Sequence, residues 1–302
     1  MRVATSILPA RKQLAYFPHP LATVSPRDLL LLELLEPSPD ELALEVGTGS
    51  GSSLFRLAPL VRELHGADVS TAPVRRLARF AEKSRGPAAR VRLFVHDFCT
   101  PGLAGSFADR YDLILSCDTL EHVRDPAAFL ANVHDLLRPG GRAFITFPNE
   151  HPRRAHGITY FERRIQLERL LDEAGFARAD VLLASVRMNR VAERILNALW
   201  RVPRRLAKAA LAGWRGARGK PAAAQTFDET DFFNAADRLE FAAPLINAYS
   251  WAVMWLMHCA RPVYQVDGLP DCIWDKQVLV RAVRPATAAR FNGQPASSTA
   301  ST

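Results

Sequence analysis

The chain has little cysteine. Its 302 residues include four, Cys99, Cys117, Cys259 and Cys272, widely spaced and never in a C-x-x-C pair or a Cys/His cluster. Neither a zinc site nor a redox dithiol is indicated, and a reducing setting is expected. No internal repeat stands out. The first 17 residues contain Arg2, Arg11 and Lys12 but no continuous apolar stretch, which argues against a signal peptide and for a cytoplasmic protein. Acid is also in deficit, with 31 Asp and Glu against 39 Lys and Arg and a formal net charge of +8. That balance favours anionic partners, either nucleic acid or a membrane surface. Because the excess is mostly arginine, spread along the chain, an ordinary solvated surface with a coding bias explains it equally. Apolar residues are not in short supply. They make up 48% of the chain, enough for a full core.

What is present is an alternation of strand and helix patterns. Strands are predicted at 41–47, 64–69, 91–96, 111–117, 143–147 and 177–186, with helices at 51–63, 71–84, 125–137 and 162–174 between them. Ahead of this, Arg27–Glu36 reads as a helix with Ser25 as N-cap and Pro26 at its first position. Residues 187–272 break the alternation, and Lys276–Val283 reads as a last strand. Such alternation implies a mostly parallel sheet covered on both faces, with ligands at the carboxyl ends of its strands.

At the first of those ends stands Glu45-Val46-Gly47-Thr48-Gly49-Ser50-Gly51-Ser52. Glycines at alternate positions between a strand and a helix let backbone approach a ligand closely. A dinucleotide fingerprint, G-x-G-x-x-G, would place its third glycine at Ser52, one residue later than here. The E-x-G-x-G-x-G form resembles the first motif of the Rossmann-like S-adenosylmethionine-dependent methyltransferases. Asp68 closes the second strand, where a carboxylate accepts from ribose hydroxyls or caps the next helix. Asp97 follows the third strand beside Phe98, an arrangement that suits an adenine amine and base face, or an ordinary loop.

The block Tyr111-Asp112-Leu113-Ile114-Leu115-Ser116-Cys117-Asp118-Thr119-Leu120-Glu121-His122-Val123, continuing to Leu136-Leu137-Arg138-Pro139-Gly140-Gly141, sharpens the resemblance. It is similar to the post-strand-4 signature of the class I methyltransferases in the ubiquinone and menaquinone group. The resemblance covers about residues 40–186 and the last strand. It implies an α/β/α sandwich around a seven-stranded sheet, order 3-2-1-4-5-7-6, with the last strand antiparallel. It also implies S-adenosylmethionine contacts at Gly47, Thr48, Gly49, Gly51, Asp68, Val69, Asp97, Phe98, Cys117 and Asp118, with Glu45 ordering the glycine loop.

A sulfonium methyl is already activated, so the expected work is to position a nucleophile and exclude water. His122 is the candidate base for a hydroxyl acceptor, with a structural histidine as the alternative. Asp118 and Glu121 lack a third ligand nearby, so no metal is expected. The N/D-P-P-Y/F tetrapeptide of amino-methylating nucleic-acid enzymes is absent after strand 4. So is the Pro-Cys nucleophile pair of the cytosine carbon-5 enzymes. Phe147-Pro148-Asn149 is instead a loop common in the small-molecule group, and His151 and His156 just beyond it are either further bases or solvated loop residues.

The insertion mixes Arg190, Arg194, Arg201, Arg204, Arg205 and Lys208 with Trp200 and Trp214. That composition suits an anionic membrane interface, a buried lid over the acceptor, or RNA binding. Phe241–Ala260 is free of charge but interrupted by Pro244, Asn247, Ser250 and His258, which makes a poor spanning helix. The expected organisation is an N-terminal helical segment on the substrate side (1–40), a cofactor-binding core (41–186), a helical insertion or lid (187–272), a last strand (273–284) and a disordered tail (285–302). The expected activity is methyl transfer to a small or lipophilic acceptor, with oxygen favoured over carbon or nitrogen and the inner membrane face as a meeting place. Alternatives are an RNA methyltransferase and a catalytically silent cofactor-binding partner. Oligomeric state is not legible.

Overall fold

The computed structural model describes residues 34–49, 51–83, 86–150, 157–201 and 264–286, with a few positions between 245 and 256. Eight strands form one sheet in the order β3-β2-β1-β4-β5-β8-β6-β7. They are β1 (Leu42–Val46), β2 (Glu63–Asp68), β3 (Arg92–Val95), β4 (Tyr111–Cys117), β5 (Leu137–Asn149), β6 (Val181–Met188), β7 (Tyr264–Gly268) and β8 (Lys276–Val283). Pairing is parallel from β3 through β5, while β8 runs antiparallel to both β5 and β6. The expected strand order is present with one strand added. Tyr264–Gly268, placed by sequence in the helical insertion, pairs antiparallel with β6 at the sheet edge. Its five residues include Gln265, Asp267 and Gly268, so its apolar alternation is too short to stand out.

Alternation along the strands divides the core into two layers. Ala43, Leu113, Leu115, Phe144 and Leu279 face α1 (Ser52–Leu57), α2 (Thr71–Lys83) and α5 (Arg190–Leu196). Leu44, Val46, Ile114, Ile145 and Val280 face α3 (Pro126–Leu136) and α4 (Arg164–Glu173). Each of the two faces is closed by helices, which is why the central strands read as continuous apolar runs.

Local signals explain most boundaries. Asp125 caps α3 by accepting from the Ala128 N–H at 3.0 Å, with Pro126 at the first position. The helix expected over 51–63 is shorter, because Pro59 sits in a 3₁₀ turn over Ala58–Leu60 and the chain then enters β2. β5 starts earlier than expected. Leu137 pairs with Tyr111, a bulge takes up Arg138–Gly141, and Arg142 then pairs with Leu113. Leu34 and Leu35 are helical, and Arg142 donates to the carbonyls of Leu35 and Glu36, pinning that helix end to the sheet. The start of that helix at Ser25 and Pro26, most of the insertion, His151, His156 and the tail beyond 286 lie outside the described residues. Among the described residues no helix is long and apolar enough to cross a membrane.

Candidate functional site

The chain winds from β1 through β2 to β3 and then returns to place β4 on the other side of β1. The carboxyl ends of β1 and β4 therefore flank the point where strand order reverses, which is where open sheets of this kind bind ligands. Every residue singled out by sequence, except those outside the described segments, lies at this carboxyl end.

The glycine loop has three left-handed positions, with φ of 79° at Gly47, 46° at Gly49 and 76° at Gly51. Their reasons differ. A Cβ on Gly47 would lie 2.0 Å from Thr119 Oγ1 and 2.9 Å from Thr119 Cβ, so this glycine lets the loops after β1 and β4 touch. A Cβ on Gly51 would lie 2.5 Å from a Leu77 methyl, so this one serves the packing of α1 on α2. A Cβ on Gly49 would meet nothing within 4 Å. Gly49 is the member of the triplet that faces open space.

Asp68 holds that loop. Its Oδ2 accepts from the Gly49 N–H at 3.0 Å and its Oδ1 from the Ser70 N–H at 2.9 Å. Each oxygen keeps a further lone pair for an incoming hydroxyl. Val69 beside it is 63% exposed, an apolar surface at this strand end. Glu45 is buried under the loop and accepts from Ser53 Oγ at 2.5 Å, tying the strand end to α1. The Thr48 side chain is also buried, with its methyl against Gly66; a ligand would meet this residue through its backbone.

At the third strand end, Asp97 Oδ1 accepts from the Cys99 N–H at 2.9 Å, and Oδ2 accepts from Arg124 Nη2 at 3.2 Å. The Cys99 N–H, then the Cys99 side chain and the Arg124 charge, hold this carboxyl below its ordinary range despite some desolvation. The Phe98 ring is committed to the core, 6.1 Å from Phe107 and 6.0 Å from Phe129. Asn132 on α3 fixes the loop by donating to the carbonyls of Phe98 and Thr100.

At the end of β4, Cys117 is half-buried, and Asp118 adopts φ 49°, a strained value for a residue with a Cβ. Its N–H donates to Thr146 O at 2.7 Å, and Gln277 Nε2 reaches its Oδ1 at 3.4 Å. His122, 55% exposed, stands on a 3₁₀ turn with Nε2 3.8 Å from the buried Glu121 carboxylate. The Glu121 carbonyl accepts from the N–H groups of Ile158 and Thr159. Asn149, fully buried, ends β5 by donating to the carbonyls of Phe161 and Ile273 at 2.7 Å each and accepting from the Phe161 N–H at 2.9 Å. Ile158, 59% exposed, is tied to Glu121, and Trp274, 52% exposed, directly follows Ile273. Among the described residues no cluster of three or more His, Cys, Asp or Glu could hold a metal.

Thr119, Arg124, Asn132, Asn149 and Gln277 were not assigned site roles from sequence. Their signals are single polar residues whose partners lie far along the chain, and spacing does not reveal them.

Residues 44–143 match a family model described as a methyltransferase domain. A ubiquinone biosynthesis O-methyltransferase from Aeromonas salmonicida is 32% identical over 110 residues, 36% of this chain and 44% of that one. One from Aromatoleum aromaticum is 27% identical over 164 residues, 46% of this chain and 65% of that one. The chain thus spans less than two thirds of the length of these curated relatives. Among solved structures, Haemonchus contortus phosphoethanolamine N-methyltransferase 2, in complex with phosphomonomethylethanolamine and S-adenosylhomocysteine, superposes with a TM-score of 0.50 at 18% identity, over 86% of this chain and 52% of that one. The [4+2]-cyclase SpnF superposes with a TM-score of 0.53 at 18% identity, over 93% of each chain. At such identity these likenesses show the fold alone. The resemblance read from the motifs is thereby shown over the segment that carries them, and the fold is the Rossmann-like methyltransferase fold.

Proposed function

We propose that the chain is an S-adenosylmethionine-dependent methyltransferase acting on a small, lipophilic acceptor, with oxygen as the receiving atom. The observation that carries this reading is the pairing of Gly49 with Asp68. A left-handed glycine with open space beyond its Cα has its N–H held by a carboxylate that retains free lone pairs. That cradle fits the ribose and amino-acid ends of the methyl donor, with Val69 and Asp97 toward the adenine. The donor supplies a methyl group on positively charged sulfur, already activated for displacement.

What the chain contributes is placement. Gly47, Gly49 and Gly51 shape the loop, Glu45 and Thr119 brace it, and Asp68 orients it. Exposed Ile158 and Trp274 supply apolar surface for the acceptor body. His122 is exposed beside this surface and is the group placed to take a proton from a hydroxyl. The O-methyltransferase relatives support oxygen. The basic, tryptophan-bearing stretch from Arg190 to Trp214 supports delivery from an anionic membrane surface.

Calorimetry with S-adenosylhomocysteine tests the cofactor half; the native chain should bind it and Gly49→Val should not. No heat with either protein, when both are folded, sinks the reading. Release of S-adenosylhomocysteine on addition of a lipid extract tests the acceptor half. A cofactor-binding protein that transfers no methyl group is the second reading, supported by the [4+2]-cyclase that shares the fold. Binding without any such release would favour it.

A further inference from the structure

The adenine end of the proposed site contains a group that nothing in the glycine motif or the post-β4 signature requires. Arg124 follows the 3₁₀ turn that bears His122 and precedes the cap of α3. Its side chain is 77% exposed, and among the described residues its hydrogen-bond partner is Asp97. The contact is specific in one respect. Asp97 Oδ1 already accepts the Cys99 N–H, so Oδ2 is the oxygen better able to receive a donor from a ligand. Arg124 Nη2 lies 3.2 Å from that oxygen.

An exposed guanidinium in this position adds little to stability. Pairs of this kind contribute little, since the arginine stays in water, while only about a third of the Asp97 side chain does. It does affect the ligand. An adenine 6-amino group that donates to Asp97 Oδ2 meets a carboxylate already carrying a cation, and must displace it or share the oxygen with it. Resting on the methyl-donor reading above, we propose that Arg124 is a displaceable stopper on the adenine subsite. It occupies Oδ2 of the Asp97 carboxylate and is expelled when an adenine amine takes its place. The residue does not touch the reacting atoms; it sets how tightly and how readily the nucleoside end seats.

The sign of the effect follows. Removing the stopper removes a competitor, so Arg124→Gln should bind S-adenosylhomocysteine more tightly than the native chain. The gain is bounded by the worth of the ion pair, about two- to five-fold. Salt provides a readout that a merely structural role would not move. Raising ionic strength from about 0.01 M to about 0.15 M shortens the screening length from about 30 Å to about 8 Å and loosens the pair. Affinity of the native chain should therefore rise with salt, while that of Arg124→Gln stays flat. Arg178→Gln, which removes the same charge from a pair with Asp172 on and beyond α4, should behave like the native chain.

The experiment is titration calorimetry of S-adenosylhomocysteine into the three full-length proteins at both ionic strengths. Tighter, salt-independent binding confined to Arg124→Gln supports the stopper. Equal affinities with equal salt dependence overturn it. So does weaker binding by Arg124→Gln, which would make the arginine a ligand contact. Absence of binding by all three would instead overturn the methyl-donor reading on which the stopper depends.

Discussion

Two glycines two residues apart in the same loop are predicted to fail in different ways. Gly47→Ala drives a Cβ into Thr119 and imposes a left-handed conformation, at a cost of about 2–4 kcal/mol. Gly49→Ala meets no atom and carries only the backbone penalty, about 1–2 kcal/mol. Thermal unfolding should therefore show Gly47→Ala much the less stable, while calorimetry should show that Gly49→Ala is folded and impaired in S-adenosylhomocysteine binding. Equal stability of the two would contradict the Thr119 contact. Asp97 makes a further prediction at this scale. Its carboxyl is held below the ordinary 3.8, chiefly by the Cys99 N–H. A lowered folded pKa contributes stability that is present above the unfolded value and lost as pH falls through the folded one. Glu63, lowered from 4.5 mainly by its bond to His65, acts in the same direction. Stability should thus fall less steeply in Asp97→Asn than in the native chain as pH drops below 3.8, and near neutrality the variant should be the less stable of the two. The acids Asp68 and Asp97 were legible in the sequence because each closes a strand. Their partners Gly49 and Arg124 were not legible as partners, since 19 and 27 residues separate them and only folding brings them together.

Among the elements, β5 and the loops beyond it depend most on one side chain. Asn149 uses both amide hydrogens and its oxygen on Phe161 and Ile273, so Ala at this position leaves buried carbonyls without donors. Asn149→Ala should lose about 2–3 kcal/mol in denaturant unfolding. Faster amide exchange should appear at 157–161 and 271–274, with the glycine loop protected as before. Exchange rising evenly over the whole chain would show that Asn149 supports the fold generally, not these loops. Helices α2, α3 and α4 were readable from apolar spacing, because that signal is local. β7 escaped notice. An edge strand of five residues with one face to solvent carries little periodic information, and its place is set by pairing with β6.

As a whole, the molecule buries one sheet between two helical layers, so ligand binding at the strand ends is expected to stabilise it throughout. Saturating ligand at about 100 times its dissociation constant adds about 2.7 kcal/mol. With an unfolding entropy of about 2.1 cal/mol/K per residue, that is a rise of roughly 4 °C in unfolding temperature. S-adenosylhomocysteine should produce this shift in the native chain and none in Gly49→Val, as followed by scanning calorimetry. A shift in both would place the ligand away from the loop.

Sequence alone determined the strand-helix alternation, the glycine turn and the acids that end β2 and β3. All of these rest on short-range rules: side-chain period, backbone sterics and strand length. Tertiary structure decided the rest. It showed that Gly47 and Gly51 serve packing while Gly49 faces open space, that the Phe98 ring belongs to the core, and that Asn149 gathers two distant loops. Those facts are distances between residues far apart in the chain, and such distances exist only once the sheet has set its strand order.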